Sequence, residues 1–141
     1  MEDIFVTYEQ AKGLKEIGYD KYSWFGSECS LYKPNGDHTF YMNGIGDGTY
    51  ISAPLKYQVI RWFRDEFQIY GEVSTDQTTE PKFVYSHPQF VGNPKDLTEK
   101  EWRWKGGLYS VLYRTYEQAE SELIDSLIQH VKFEMGFFDN I

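Results

Sequence analysis

One short stretch of the sequence concentrates residue types that bind anionic, ring-containing ligands. Residues 102–105 read Trp-Arg-Trp-Lys, glycines follow at 106 and 107, and Tyr109 lies just beyond. Aromatic rings stack on bases, a nearby cation can bind a phosphate, and glycine lets the backbone approach a phosphate closely. The predicted ligand-binding residues of this stretch are Trp102, Arg103, Trp104, Lys105 and Tyr109.

The same stretch also fits a strand that faces the core. If the chain is extended here, Trp102 and Trp104 point to one face and Arg103 and Lys105 to the other. Composition favours the core interpretation, because tryptophans are mostly buried in domains of this size. The stacking site is the alternative, since no other place in this acidic chain concentrates aromatic and cationic groups.

A second, smaller cationic pair lies in the middle of the chain. Arg61 and Arg64 are three residues apart in a segment with helical periodicity, so they share one face of the predicted helix. A solvated helix surface is the simpler explanation of this pair. Both arginines are nevertheless part of the predicted ligand-binding set.

The residues with catalytic potential form no recognisable motif. His38, His87 and His130 have no zinc-type spacing with one another or with Cys29, the single cysteine, which we expect to be a buried, inert thiol. No Gly-x-Ser-x-Gly elbow is present, and the many carboxylates have no neighbour that fixes a role. The sequence therefore predicts no catalytic residue, no metal site and no cofactor.

Composition limits the classes of partner. The chain has 141 residues and a net charge of −8, which argues against binding to duplex nucleic acid, because phosphate backbones need a concentrated basic face. A lone cysteine indicates a reducing compartment. The N-terminus lacks a signal-peptide pattern, and no stretch reaches the roughly 20 apolar residues needed to cross a bilayer. We expect a cytoplasmic protein, in a bacterial cell or an infected host cell, with no membrane partner.

The first predicted helix covers residues 8–17. Thr7 can accept from the free amides of the first turn, and Gln10 can reach back to the Thr7 amide, which makes a capping box. Gly18 follows at the position where a left-handed residue ends a helix.

The second predicted helix covers residues 53–68, with Ser52 as its cap and Pro54 in its first turn. Apolar residues recur at helical spacing through the segment and predict an amphipathic helix. The predicted inner stripe consists of Leu55, Val59, Trp62 or Phe63, and Phe67.

The last predicted helix begins at Thr115, with Gln118 completing another capping box. The pentapeptide Thr-Tyr-Glu-Gln-Ala thus occurs at 7–11 and again at 115–119, as a duplication or as convergence on a good helix start. The predicted inner face consists of Ala119, Leu123, Ile124, Leu127, Ile128 and Val131. The apolar tail, 133–141, either folds back or meets another subunit.

A hairpin is predicted between the first two helices. Residues 27–33 and 38–43 flank Pro34-Asn35-Gly36-Asp37, which supplies the positive φ angles of a tight turn. A glycine-rich loop follows at 44–49. Further along, the pattern predicts a short strand at 69–73, a loop at 74–81, a strand at 82–86, irregular chain at 87–100 and a strand at 107–114.

The two ends of the chain carry a resemblance. The opening FVTYEQAKGLKEIGYD, the closing YRTYEQAESELIDSLIQHVK and the central RWFRDEF resemble small uncharacterised proteins of Bacteroides-type gut bacteria and their phages. The resemblance covers the three helices and carries over no activity and no site residue. It implies a cytoplasmic bacterial or viral accessory protein, and it is weakest over residues 74–105.

These observations predict an α+β fold and a single domain over residues 1–141: a small, mainly antiparallel sheet against two long helices and a short N-terminal one. The predicted function is a non-enzymatic binding protein that captures a small anionic, nucleotide-type ligand or a host protein. The alternative is a small nucleotide hydrolase that assembles carboxylates and a histidine in three dimensions. Self-association through the tail 133–141 is a further expectation.

Overall fold

The structure is a computed structural model that describes residues 4–46, 48–69, 71–76, 82–91, 101–105 and 115–137; for 74–76, 82–91 and 101–105 it describes the backbone. Three helices and antiparallel strands confirm the predicted α+β class. The chain divides into two compact units, Met1–Lys56 with Ile128–Ile141, and Tyr57–Leu127. That residues 1–141 form one domain stays a prediction.

Helix α1, Tyr8–Glu16, begins where its cap predicts. The Gln10 amide donates to Thr7 Oγ1 over 3.1 Å, and the Thr7 amide donates to Gln10 Oε1 over 2.9 Å. Both bonds of the capping box are therefore present, and they satisfy two amides that the helix leaves without partners. Gln10 is 3% exposed, so the cap is also part of the packed interior.

The C-terminal turn of α1 directs the side chain of Tyr19 into the interior. Gly18 has φ 100°, and its amide donates to the Lys15 carbonyl over 3.1 Å, while the Tyr19 amide donates to the Leu14 carbonyl over 2.9 Å. This pair of bonds is a Schellman motif, in which the left-handed glycine reverses the chain and the next side chain packs on the last turn. Tyr19 and Leu14 are accordingly both buried.

The first unit contains a four-stranded antiparallel sheet. Strand β2, Glu28–Tyr32, is its centre: β3, His38–Met42, pairs along its whole length, while β1, Trp24–Phe25, and β4, Ile51–Ser52, also pair with β2. The predicted hairpin is thus confirmed, with Ser30 opposite Phe40 in the register. Cys29 to Tyr32 are buried, because this strand passes through the interior of the unit.

The hairpin turn has the predicted chemistry. Gly36 has φ 93°, and its amide donates to the Lys33 carbonyl over 2.9 Å. Asn35 Oδ1 accepts from the Asp37 amide over 3.0 Å, so the asparagine side chain satisfies the backbone inside the turn. These local bonds set the register of β2 against β3.

The predicted cap of the second helix is wrong. Helix α2 spans Lys56–Phe67. Ser52 belongs to β4 and lies four residues before Lys56, which is too far to cap the first turn. The Ala53 amide donates to the Ser30 carbonyl, the Pro54 carbonyl accepts from the Val6 amide, and Leu55 bridges to the N-terminal segment. Because long-range partners take the backbone bonds of this segment, the helix begins only after it.

The apolar stripe predicted for α2 is confirmed in its main members. Val59 and Phe63 are fully buried, and Trp62 is 8% exposed. The helix ends at Phe67, where Gln68 adopts a left-handed conformation with φ 54°. A non-glycine residue in this region carries a small conformational cost.

The strands of the second unit differ from the prediction. Strand β5, Glu72–Asp76, extends into the predicted loop, and β6, Lys82–Val91, runs on through the predicted irregular region. Strand β7, Glu101–Lys105, pairs with the second half of β6, whereas β5 pairs with the first half. At Pro88, β6 therefore has a described neighbouring strand on one side only. Proline has no backbone N–H to donate, and at such an edge position this absence does not interrupt hydrogen bonding in the middle of a sheet.

Helix α3, Tyr116–Glu134, begins after Thr115, whose Oγ1 accepts from the Gln118 amide over 3.1 Å. This bond confirms the Thr115 cap. The helix ends in a second Schellman motif, with Gly136 at φ 81°. All the predicted inner-face residues are at most 3% exposed: Ala119, Leu123, Ile124, Leu127, Ile128 and Val131.

Candidate functional site

The tryptophan stretch of the sequence analysis forms the extended strand β7. Trp102 lies opposite Phe90 and Trp104 opposite Pro88 in the antiparallel register with β6. This extended backbone is compatible both with a core-facing strand and with a stacking platform. The side chains of Arg103 and Lys105, like the whole of Tyr109 and the predicted strand at 107–114, lie outside the described residues, so the choice between core and ligand site stays a prediction.

Arg61 and Arg64 both line a cleft of about 360 Å³ in the second unit, which we call the arginine cleft. It lies between the outer face of α2, the start of β5 and the first turns of α3. Its volume is at the lower end of the range of small-molecule sites. The other lining residues are Tyr57, Ile60, Gly71, Glu72, Val73, Tyr116 and Glu120.

The two guanidinium groups make only weak contacts with their acidic neighbour. Arg61 Nε lies 3.8 Å from Asp65 Oδ2, and Arg64 Nε lies 3.9 Å from Asp65 Oδ1. These distances exceed those of charge-assisted hydrogen bonds, about 2.7–2.9 Å. The arginine side chains are 73% and 45% exposed, and exposed pairs of this kind contribute about 1 kcal/mol or less. A ligand anion can therefore compete with Asp65 for Arg61.

A buried carboxylate lies on the opposite wall of the cleft. Glu120 is 8% exposed, although glutamate is rarely buried without partners. The Tyr116 hydroxyl shares a hydrogen bond with it, and burial first, then the charge of Glu120, raises the pKa of Tyr116. Glu72 adds a second carboxylate at the wall. The cleft is thus lined by cations from α2 and by hydrogen-bond acceptors from β5 and α3.

Gly71 lets the chain approach α3 closely at this wall. A Cβ atom built on it would lie 2.9 Å from Leu123 Cδ1, closer than such atoms normally approach. The glycine is therefore needed to seat the start of β5 beside the helix. The sequence shows Gly71 only as a glycine between two predicted elements, and nothing local to it indicates a role in a cleft.

A second cavity, of about 290 Å³, lies wholly within the first unit, and we call it the tyrosine cavity. The last turn of α1, the segment after it and the glycine-rich loop form its walls. Sequence reasoning placed no ligand here, although the glycines of the loop were the one available signal. The lining residues are Ala11, Lys15, Tyr19, Asp20, Lys21, Tyr22, Ile45, Gly46, Gly48, Tyr50, Ile51 and Ser52.

Ser30 and His38 have the spacing of a nucleophile and a base, but their hydrogen bonds assign another role. Ser30 Oγ lies 2.7 Å from His38 Nε2 and donates its single proton to the Ala53 carbonyl, also over 2.7 Å. His38 Nε2 must therefore be the donor to the hydroxyl oxygen. Ser30 is fully buried, so the pair is a structural bond between β2, β3 and the segment after β4.

The remaining groups of catalytic potential are placed as follows. Cys29 is buried, and desolvation raises the pKa of its thiol, which agrees with the expected inert cysteine. His130 Nε2 lies 3.7 Å from Glu134 Oε1 on α3. Among the described residues, no three His, Cys, Asp or Glu side chains converge in a way that could hold a metal ion.

The described helices include none that is both long and apolar enough to cross a membrane. The chain matches no protein-family model, and no curated protein or solved structure matches it at a significant level. Its functional interpretation therefore depends on the geometry of its own residues.

Proposed function

We propose that the protein binds a small anionic ligand of the nucleotide type in the arginine cleft, without chemical conversion. The observation that supports this most directly is that Arg61 and Arg64 both line the same concave site. The resemblance of the helical frame supports a bacterial or phage accessory protein of the cytoplasm as the setting.

The two walls of the cleft suit the two ends of a nucleotide. The guanidinium groups of Arg61 and Arg64 match the planar, bidentate geometry that binds phosphate. Tyr57 and Tyr116 are 63% and 44% exposed and offer ring faces on which a base can stack. The carboxylate of Glu120 accepts hydrogen bonds, as the ring and exocyclic N–H groups of a purine require.

The alternative function, a small nucleotide hydrolase, predicts a different fate for the bound nucleotide. Capture returns the nucleotide intact, whereas hydrolysis releases phosphate or a nucleoside. Incubation with a nucleoside monophosphate, with Mg²⁺ and separately with a chelator, followed by phosphate detection, distinguishes the two. Metal-dependent phosphate release would replace the capture proposal with the hydrolase.

The first prediction is that Arg61→Gln with Arg64→Gln weakens nucleoside monophosphate binding by roughly 100-fold or more. Hydrogen bonds to charged groups contribute about 1.5–3 kcal/mol each, and about 1.4 kcal/mol corresponds to a tenfold change in Kd. Isothermal titration calorimetry with GMP, AMP, CMP and inorganic phosphate measures the effect. We expect purine nucleotides to bind more tightly than phosphate alone, because their bases can also stack on Tyr57 and Tyr116.

The matched control removes two positive charges elsewhere. Lys12→Gln with Lys33→Gln gives the same change in net charge but alters no residue of the cleft. We expect this variant to keep its affinity within about threefold, since exposed charges at a distance are screened by salt. Equal losses in the two double variants would show a general charge effect and contradict the proposed site.

The apolar tail favours a second candidate function, association with another copy of this chain. At the C-terminal end of α3, Phe133, Met135 and Phe137 are 63%, 52% and 42% exposed within a few residues of one another. We propose that this surface joins two copies, and the prediction is that serine at all three positions lowers the sedimentation coefficient to that of a monomer. Tyr57→Ser, which removes an equally exposed aromatic elsewhere, is the control. A wild-type chain that already sediments as a monomer would contradict self-association.

A further inference from the structure

The tyrosine cavity is built by two glycines with left-handed conformations. Gly18 ends α1 and turns Tyr19 into the wall, as described above. Gly46 has φ 73°, and a Cβ atom on it would lie 2.6 Å from Cδ2 of Tyr50. No side chain fits between them, so the glycine and the ring define one wall together. Tyr50 also packs edge-on against Tyr41, with ring centroids 5.8 Å apart, which fixes the ring from outside the cavity.

The charged side chains that the structure describes at the wall of the cavity sum to a positive value, in a chain of net charge −8. Lys15 and Lys21 contribute two cations, and Asp20 contributes one anion. Neither lysine has an ion-pair partner in the part of the chain that the structure describes. A lysine without a carboxylate partner keeps its charge available for an anion.

The hydroxyl groups of the wall are donors. Burial first, and then the charge of Asp20, raises the pKa of Tyr19 to about 12, so its phenol stays neutral at physiological pH and adds no negative charge. Ser52 also lines the cavity, and its buried Oγ has no hydrogen-bond partner among the described residues.

The size and lining of the cavity define the kind of ligand. A volume of about 290 Å³ equals the space of about ten water molecules, which suits a molecule of about ten to fifteen non-hydrogen atoms. Rings of Tyr22 and Tyr50 together with Ala11, Ile45 and Ile51 make the walls largely apolar, which favours a flat ring over a polyol.

We infer that the tyrosine cavity is a second ligand site, which takes a small aromatic carboxylate. Its ring packs between the tyrosine rings, and its carboxylate lies toward Lys15 and Lys21 within reach of a hydroxyl donor. The inference is independent of the arginine cleft, because no residue lines both sites. It therefore stands or falls separately from the proposed function.

The test uses 4-hydroxyphenylacetate as the probe and its uncharged amide as the matched ligand. Ligand-observed NMR and calorimetry on the full chain measure both affinities. For a probe of this size we expect a Kd of about 0.1–1 mM for the acid, and binding of the amide at least about tenfold weaker. Glucuronate, which has the carboxylate but no aromatic ring, should also bind at least about tenfold more weakly. Equal binding of acid and amide, tighter binding of glucuronate, or no binding of the acid at 10 mM (roughly ten times the weakest Kd expected) would overturn the inference.

Protein variants locate the binding. Lys15→Met with Lys21→Met should weaken the acid at least about tenfold, whereas Lys12→Met with Lys33→Met, which lie outside the cavity, should leave its Kd unchanged. Gly46→Ala should also weaken the acid by displacing Tyr50, while Gly44→Ala, which lies outside the cavity and where an added Cβ comes no closer than 3.7 Å to Tyr41, should not. Because the lysine pair is exposed, its effect remains interpretable even if Gly46→Ala fails to fold. Equal Kd values in the two lysine variants would overturn the inference.

Discussion

Phe63→Ala is expected to lower the free energy of unfolding by about 3–5 kcal/mol. Phe63 lies on the inner face of α2 and is fully buried, as the largest of the completely enclosed side chains in the described part of the protein. Its ring packs against Trp62 and Phe67, with centroids 5.2 and 5.9 Å away. Truncation removes apolar contact and leaves a cavity that these rigid neighbours cannot close, so both contributions act in the same direction.

Urea denaturation followed by tryptophan fluorescence measures this loss. The matched control is Tyr57→Ala, an aromatic residue on the same helix that is 63% exposed. Its removal should change the free energy of unfolding by about 0.5 kcal/mol or less, since a surface residue loses little contact. A loss below about 1 kcal/mol for Phe63→Ala would show that the α2 core is not packed as described.

Ser30→Ala is expected to destabilise the protein by about 2–4 kcal/mol, although it removes a single oxygen atom. The Ser30 hydroxyl donates to the Ala53 carbonyl and accepts from His38 Nε2, both over 2.7 Å. The substitution removes a partner from the buried Ala53 carbonyl, which costs about 1–3 kcal/mol, and one from the part-buried His38 ring, which costs less. The effect therefore comes from lost hydrogen bonds and not from lost volume.

The control for Ser30→Ala is Ser52→Ala, the same substitution at the residue directly before Ala53 in the chain. The Ser52 hydroxyl is buried with no hydrogen-bond partner among the described residues. Its removal should leave stability unchanged or raise it, because a desolvated hydroxyl without a partner is unfavourable. Equal losses in the two variants, measured by thermal and urea unfolding, would contradict the hydrogen-bond assignments at Ser30.

The ends of the helices show how much of the fold could be predicted. The bonds at Thr7, Gly18 and Thr115 join residues within about five positions of each other, so the sequence carries their full chemistry. The hairpin turn at Gly36 follows the same logic, because its partners are two or three residues apart. Local hydrogen bonds of this kind do not depend on the rest of the chain, and each of them was predictable.

The errors fall where distant partners decide the backbone. Ser52 has the chemistry of a cap, yet its segment pairs with β2 and with the N-terminal segment, which lie some 20 to 50 residues away in the chain. Strand β6 continues through Pro88 because β7 supplies a partner on one side. A sequence pattern alone does not show whether such pairing overrides local propensity, because strand preference depends strongly on tertiary context.

The candidate sites divide in the same way. From the sequence, Arg61 and Arg64 could be placed on one helix face, because helical spacing alone sets that relation. The buried Glu120 opposite them, and the meeting of Tyr19, Lys21 and Tyr50 around one cavity, depend on contacts between separate elements. The sequence by itself determined the helix boundaries set by local caps, the hairpin register and the apolar faces, all fixed by bonds or spacing within a few residues. Only the tertiary structure decided which polar groups are buried and which share a cavity, because both depend on chain segments that are distant in sequence and close in space.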